Sequence, residues 1–152
     1  MFAQLDTKSV YSFMDSVVDL NSYVARAKEL GYQALGLMDR DNLYAAYHFA
    51  QLASGNGLRP LIGMEANLFY EGRKIPFRLL AKNNQGYKNL MKIVTRGFTE
   101  GYYYKPRVDY EVLEKYHEGI IALSACLAGE IPNKILKEDF DGARAAANKM
   151  RD

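Results

Sequence analysis

Ala34-Leu35-Gly36-Leu37-Met38-Asp39-Arg40-Asp41-Asn42 is a short apolar run that ends abruptly in three charged residues and an asparagine. Beyond it, residues 43–53 switch to helical spacing. The spacing predicts a buried strand, a tight turn and the start of a helix. In parallel α/β folds the chemistry sits where strands end and helices begin. Any site in this chain is therefore expected to have this turn on its rim.

Upstream, Leu20, Tyr23, Val24, Ala27 and Leu30 fall on one helical face, with Asp19 or Asn21 as N-cap and Gly31 at the C′ position. Phe2-Ala3-Gln4-Leu5 reads as a first strand running into Asp6-Thr7-Lys8-Ser9. Downstream, Asn42 is expected to cap a helix with Leu43, Ala46, Tyr47 and Ala50 inward. Leu61 to Glu65 is a third strand ending on a carboxylate. It continues through Ala66–Tyr70, turns at 71–74 and returns as Ile75–Ala81, a hairpin appended to the parallel layer, with Pro76 at an edge. A helix follows over 84–98, with Tyr87, Leu90, Met91 and Val94 inward and Lys88, Lys92 and Arg96 outward. Asp109 can cap a helix carrying Val112, Leu113 and Tyr116. Gly119–Leu123 reads as a buried strand running into Ser124-Ala125-Cys126, and 128–137 as a helix interrupted by Pro132. Such alternation means an α/β layer with parallel strands.

Composition narrows the function classes. Of the 152 residues, 49% are hydrophobic and 25% charged, and the net charge is +2. That charge is too mild to argue nucleic-acid binding by itself. The single Cys126 excludes an internal disulfide framework and fits a reducing compartment, so a cytoplasmic location is expected. No apolar run reaches ~18 residues, so no membrane span is expected. No basic region followed by a long apolar stretch opens the chain, so no secretory signal is expected. The final helical pattern stops without a C-cap glycine. Residues 1–152 are therefore expected to be one domain, or the N-terminal part of a larger one.

Four predicted strand ends carry polar groups: Asp6 and Lys8; Asp39, Arg40 and Asp41; Glu65; and Ser124 with Cys126. Parallel strands would bring these ends to one side, where carboxylates and a thiol could ligate a cation. Zinc normally takes His and Cys, yet His48 and His117 both lie away from strand ends. Spacing alone thus does not favour an intact transition-metal site. Lys82, Lys88, Lys92, Arg96, Lys105 and Arg107, interleaved with tyrosines, could track phosphates. A solvated helix face followed by a packed aromatic loop is the reading that spacing favours. No phosphate-cradling glycine motif, nucleophile elbow or zinc-protease helix occurs.

Several stretches resemble one family. They include Tyr11-Ser12-Phe13-Met14-Asp15, Asp41-Asn42-Leu43-Tyr44, Pro60-Leu61-Ile62-Gly63-Met64-Glu65, Gly86-Tyr87-Lys88-Asn89-Leu90, Glu100-Gly101-Tyr102-Tyr103-Tyr104-Lys105-Pro106-Arg107-Val108-Asp109 and Glu118 to Ile131 with its Ser124-Ala125-Cys126-Leu127 core. In order and over nearly the whole chain, these are similar to the N-terminal polymerase-and-histidinol-phosphatase (PHP) domain of bacterial replicative polymerase alpha subunits.

The resemblance implies part of an irregular parallel β/α barrel, related to the TIM barrel, with an inserted hairpin and the site at the strand C-termini. It implies that residues 1–152 are the N-terminal part of that domain, truncated at the C-terminal end. Metal-binding members hold several ions with His, Asp, Glu and Cys for phosphoester hydrolysis. Carried over residue by residue, the opening His-x-His pair falls on Asp6 and Lys8, a third His on Arg40 and a fourth on about Pro76. Asp15, Glu65 and Cys126 match as vestigial ligands.

The resemblance therefore implies a degenerate, non-catalytic domain that needs no cofactor and supports a DNA-directed DNA polymerase, itself dependent on Mg²⁺. Lys8 and Arg40 are expected to neutralise the surviving carboxylates in place of the metal. The implied partners are the remaining polymerase domains, for which Tyr102–Arg107 is a candidate docking stretch, and, through them, primer-template DNA and replisome subunits. The alternative is an active phosphoesterase or 3′–5′ exonuclease using Mn²⁺, Zn²⁺ or Mg²⁺ on Asp6, Asp15, Asp39, Glu65 and Cys126. A free-standing PHP phosphatase is a third reading, against which the 100–109 and 118–131 stretches weigh.

Overall fold

The computed structural model describes residues 2–70, 72–124 and 127–151. Helix α1 (Leu20–Glu29) starts at Asp19, whose side chain accepts from the Ser22 amide at 2.9 Å, and buries Leu20, Val24 and Ala27. Gly31 follows with φ 72°, the left-handed turn that a helix stop requires. Strand β1 (Ala34–Arg40) is buried through its first six residues. Helix α2 (Ala46–Gly55) leads to β2 (Arg59–Tyr70), which pairs at once with β3 (Arg73–Ala81). Helices α3 (Asn84–Thr99) and α4 (Tyr110–Tyr116) precede β4 (Ile120–Leu123), and α5 (Glu130–Leu136) and α6 (Phe140–Arg151) close the order. Pro132 is the third residue of α5, where an amide has no partner inside the helix to lose.

The sheet order is β1-β2-β3-β4. Only β1 and β2 pair in parallel; β2–β3 and β3–β4 are antiparallel. The expectation of a parallel layer with a hairpin appended to it is thus corrected to a single mixed sheet that contains the hairpin. The cause is the short connection between Tyr70 and Arg73, which can join only antiparallel neighbours. The hairpin is not an appendage, since β2 runs unbroken for 12 residues and β3 takes the next place in the sheet. Pro76 lies on β3 outside the stretch Arg78–Ala81 that β4 covers, so the strand is an edge at that point.

Side chains alternate along each strand, and the registers decide what each face carries. Leu35 and Leu37 of β1 pack with Leu20, Val24, Ala27 and Phe49 of α1 and α2. Met64, Ala66 and Leu68 of β2 and Phe77 and Leu79 of β3 pack with Leu90 and Ile93 of α3. Helices α1–α3 therefore cover one face. The opposite face carries the cross-sheet row Arg40, Glu65, Arg78 and Leu123, each in register with the next.

Several local expectations are corrected. Asn42 does not cap α2, whose N-cap is Ala45; its amide instead donates to the Arg40 carbonyl at 2.8 Å and the Tyr11 carbonyl at 3.1 Å. Tyr47 and Met91, expected inward, are exposed because Phe49 and Ile93 take the core positions. β4 is half-exposed rather than buried, being last in the sheet order among the described residues. Phe2–Leu5 makes a single parallel bridge, Gln4 to Leu35, rather than a strand.

Candidate functional site

The segment before α1 runs along the free edge of β1. Gly36 and Met38 donate their amides to the carbonyls of Gln4 and Thr7, each at 2.8 Å. The approach is close enough that a Cβ on Gly36 would stand 2.5 Å from the Leu5 carbonyl oxygen. Farther along, Asp39 anchors the segment. Its carboxylate, only 2% exposed, accepts from the Ser9 amide and hydroxyl, each at 2.7 Å, and from the Ser12 hydroxyl at 2.6 Å. Asp39 is thus committed to neutral donors and positions the loop instead of facing a ligand.

That loop delivers Asp6, Lys8 and Asp15 to the row on the face opposite α1–α3. Glu65, 5% exposed, is the centre. Lys8 Nζ lies 3.1 Å from its Oε2, Arg40 Nε 2.8 Å from its Oε1, and Arg78 Nη2 3.5 Å from its Oε2. Arg40 Nη1 reaches Asp15 at 2.5 Å, Arg78 Nε reaches Asp6 at 2.6 Å, and Lys8 lies 3.4 Å from Asp6. Three cations and three carboxylates form one connected cluster. Burial would raise the Glu65 carboxyl, but the hydrogen bonds and charges of Lys8 and Arg40 outweigh it and hold it below the ordinary value.

The structure thus gathers Asp6, Lys8, Asp15, Arg40 and Glu65 and leaves Asp39 apart. Pro76 pairs with Asn67 two residues from Arg78. Ser124 is exposed one residue past Leu123, the register partner of Arg78, while Cys126 lies outside the described residues. Arg78 was missed by sequence reasoning. Its signal is the alternation Ile75, Phe77, Leu79, which sets Arg78 on the face opposite the apolar one. Among the described residues, no group of three or more His, Cys, Asp and Glu side chains is placed to hold a metal ion. The carboxylates that could do so already face cations, and Lys8 and Arg40 put positive charge where an ion would have to sit. Among the described residues, those gathered around Glu65 do not fit a bound metal.

Beside the cluster, Asp41 has φ 59°, and both its oxygens accept from Asn67 Nδ2, at 2.8 and 2.7 Å. Burial pushes its carboxyl up to about 6, against Arg40, Asn67 and Lys105, which favour the charged form. The folded state therefore binds this proton more tightly than the unfolded chain does. Stability from this group is full below the unfolded value of 3.8 and is lost as pH rises toward about 6. Asp41→Asn, which tolerates the left-handed backbone, should gain relative to the parent protein as pH rises from about 4 to 6.5 in urea melts. A difference independent of pH would count against this assignment.

Comparison with known proteins identifies the family. The PHP domain family model matches residues 4–152. DNA polymerase III subunit alpha of Treponema pallidum is 40% identical over 161 aligned positions, covering 99% of this chain. That of Aquifex aeolicus is 41% identical over 84% of the chain, and that of Streptococcus pyogenes serotype M3 56% identical over 62%. The aligned regions make up 14%, 12% and 9% of those relatives, so the chain spans a small part of their length. A Bifidobacterium adolescentis structure, described as a metal-dependent phosphoesterase, aligns with TM-score 0.51 and 16% identity, over 62% of this chain and 32% of that one; it speaks for the fold alone. On the family match and on relatives aligned over most of its length, the chain belongs to the PHP domain family and is homologous to part of DNA polymerase III subunit alpha.

Proposed function

We propose that this chain is the degenerate PHP domain, or the N-terminal part of one, of a replicative DNA polymerase alpha subunit, and that it braces the polymerase without catalysing a reaction. The observation that carries this is the cluster around Glu65. Lys8, Arg40 and Arg78 occupy the carboxylates of Asp6, Asp15 and Glu65, so charge balance is reached within the protein. A carboxylate cluster this close would otherwise need cations from outside, since unpaired buried charges are costly. The mixed sheet is read as an arc of an irregular barrel, with the cluster on its inner face where active relatives would hold metal.

The whole polypeptide would extend a primer on a DNA template with Mg²⁺ in other domains, in the cytoplasm. Among the described residues no helix is long and apolar enough to cross a membrane, in keeping with that setting. The partners would be those other domains and, through them, primer-template DNA and replisome subunits. Tyr102, Tyr103 and Tyr104 are exposed, and the Arg107 guanidinium lies over Phe69 and Tyr103, 4.6 and 4.9 Å from their ring centroids. This aromatic loop is the proposed contact with the rest of the polymerase.

The test is metal content by mass spectrometry after dialysis against Mn²⁺ and Zn²⁺, with thermal melts with and without EDTA. The expected result is no stoichiometric metal and no EDTA shift. Bound metal with an EDTA-sensitive melt would replace this reading with a metal-dependent phosphoesterase.

A further inference from the structure

Helix α3 buries Gly86, Asn89, Leu90, Ile93 and Gly97, so its other side is turned outward. Lys88, Lys92 and Arg96 lie there at intervals of four residues. At 1.5 Å per residue they form a row of about 12 Å, one cation per about 6 Å of helix. Together with Thr95 and Tyr116 they line an open groove between α3 and α4. Lys115 of α4 joins from the far side, its Nζ 5.7 Å from the Tyr116 ring centroid, and Lys92 Nζ lies 5.3 Å from the same ring.

Arg96 is paired with Glu100. Lys88, Lys92 and Lys115 make no ion pair among the described residues. The field is also felt by Tyr116, whose phenol is held below its ordinary value by the hydrogen bond from Arg96 and the charges of Lys115, Arg96 and Lys92. Lys88, Lys92 and Lys115 thus face solvent without an ion-pair partner among the described residues, beside the paired Arg96, although the chain as a whole is only +2.

We propose that this outward face of α3, with Lys115 of α4, binds the phosphodiester backbone of double-stranded DNA. Charge complementarity identifies a polyanion, and the regular interval of the α3 cations along the helix axis identifies one with repeated charges. Duplex is favoured over single strands because single-strand sites add aromatic platforms on which bases stack. Here the ring of the groove, Tyr116, is approached by two lysines, and the exposed tyrosines 102–104 belong to a different loop. Such contacts position a protein on DNA without reading sequence. The choice of DNA rests on the reading of the chain as part of a DNA polymerase; the row itself does not depend on whether the Glu65 cluster holds metal.

The experiment is fluorescence anisotropy of a short labelled duplex of arbitrary sequence with the full chain, titrated between about 50 and 200 mM salt. Three proteins are compared: the parent, Lys88→Ala/Lys92→Ala, and a charge-matched Arg26→Ala/Lys28→Ala on α1. The α3 pair should bind roughly tenfold more weakly and flatten the slope of log affinity against log salt by about 2, whereas the α1 pair should stay near the parent. All four replaced side chains are exposed, and matching melts confirm that each variant is folded. Equal losses in the two double variants would mean that only net charge matters and would overturn the proposal. So would tighter binding of the corresponding single strand, or no duplex binding at the lowest salt. The EDTA experiment above is insensitive to these variants, so the two readings fail separately.

Discussion

Arg40→Ala should lower the stability of the folded chain by about 2–3 kcal/mol, and Glu65→Ala by about 3–5 kcal/mol, because each leaves charges of the opposite sign without their partner in a largely desolvated place. The smaller figure for Arg40 reflects its exposure, 34% against 6% for the Glu65 side chain. Arg40 also holds Asp15, so both carboxylates lose a cation at once. Glu65 faces three cations, and removing it leaves Lys8, Arg40 and Arg78 repelling one another. The control is Arg73→Ala on the exposed start of β3, which should change stability by less than about 0.5 kcal/mol. Combining Arg40→Ala with Glu65→Ala should cost less than the sum of the single losses, since the pair is removed together. Denaturant melts of the four variants measure all of these. Equal midpoints for the Arg40 and Arg73 variants would dismiss the idea that the cluster is structural.

Gly36→Ala is the second change with a large expected effect, about 2–4 kcal/mol, even though it adds one methyl group. The added Cβ would meet the Leu5 carbonyl oxygen at 2.5 Å and its Cα at 2.7 Å. Both are backbone atoms, so a side-chain rotation cannot relieve the clash. The segment must move off β1, and with it go Asp6, Lys8 and the two serines that hold Asp39. Hydrogen exchange locates the damage. The Met38 amide, bonded to Thr7, should lose protection, whereas the amides between β2 and β3 should keep theirs. Uniform loss across the sheet would mean that the segment is part of one cooperative unit and not a separable strap.

Much of this arrangement was legible in the sequence for a physical reason. Strand β1 and its charged end follow from the contrast between Ala34–Met38 and Asp39–Asn42, a local pattern that needs no partner. Caps at Asp19 and Asp109 follow from side-chain oxygens one helical turn before apolar spacing. Lys8 and Arg40 as counter-charges to Glu65 followed from the resemblance, because a ligand position that turns cationic leaves its former neighbours in need of neutralisation. Helix faces were read less well at Tyr47 and Met91, where Phe49 and Ile93, each two positions away, take the core position.

What the tertiary structure alone decided is register. A turn spread over residues 71–74 would set Glu65 across from Leu80; the tighter pairing of Tyr70 with Arg73 sets it across from Arg78. That shift of two residues along β3 completes the charge balance with a third cation. The place of β4 beside β3 is the other such decision. The short hairpin reverses β3, and β4 then runs parallel to β1 and β2, bringing Arg40, Glu65, Arg78 and Leu123 into one row. Composition and periodicity determine which segments are strands and which faces are apolar, because those depend on neighbours along the chain. Which charged side chains meet depends on hydrogen-bond registers between segments far apart in sequence, and these are settled only when the sheet assembles.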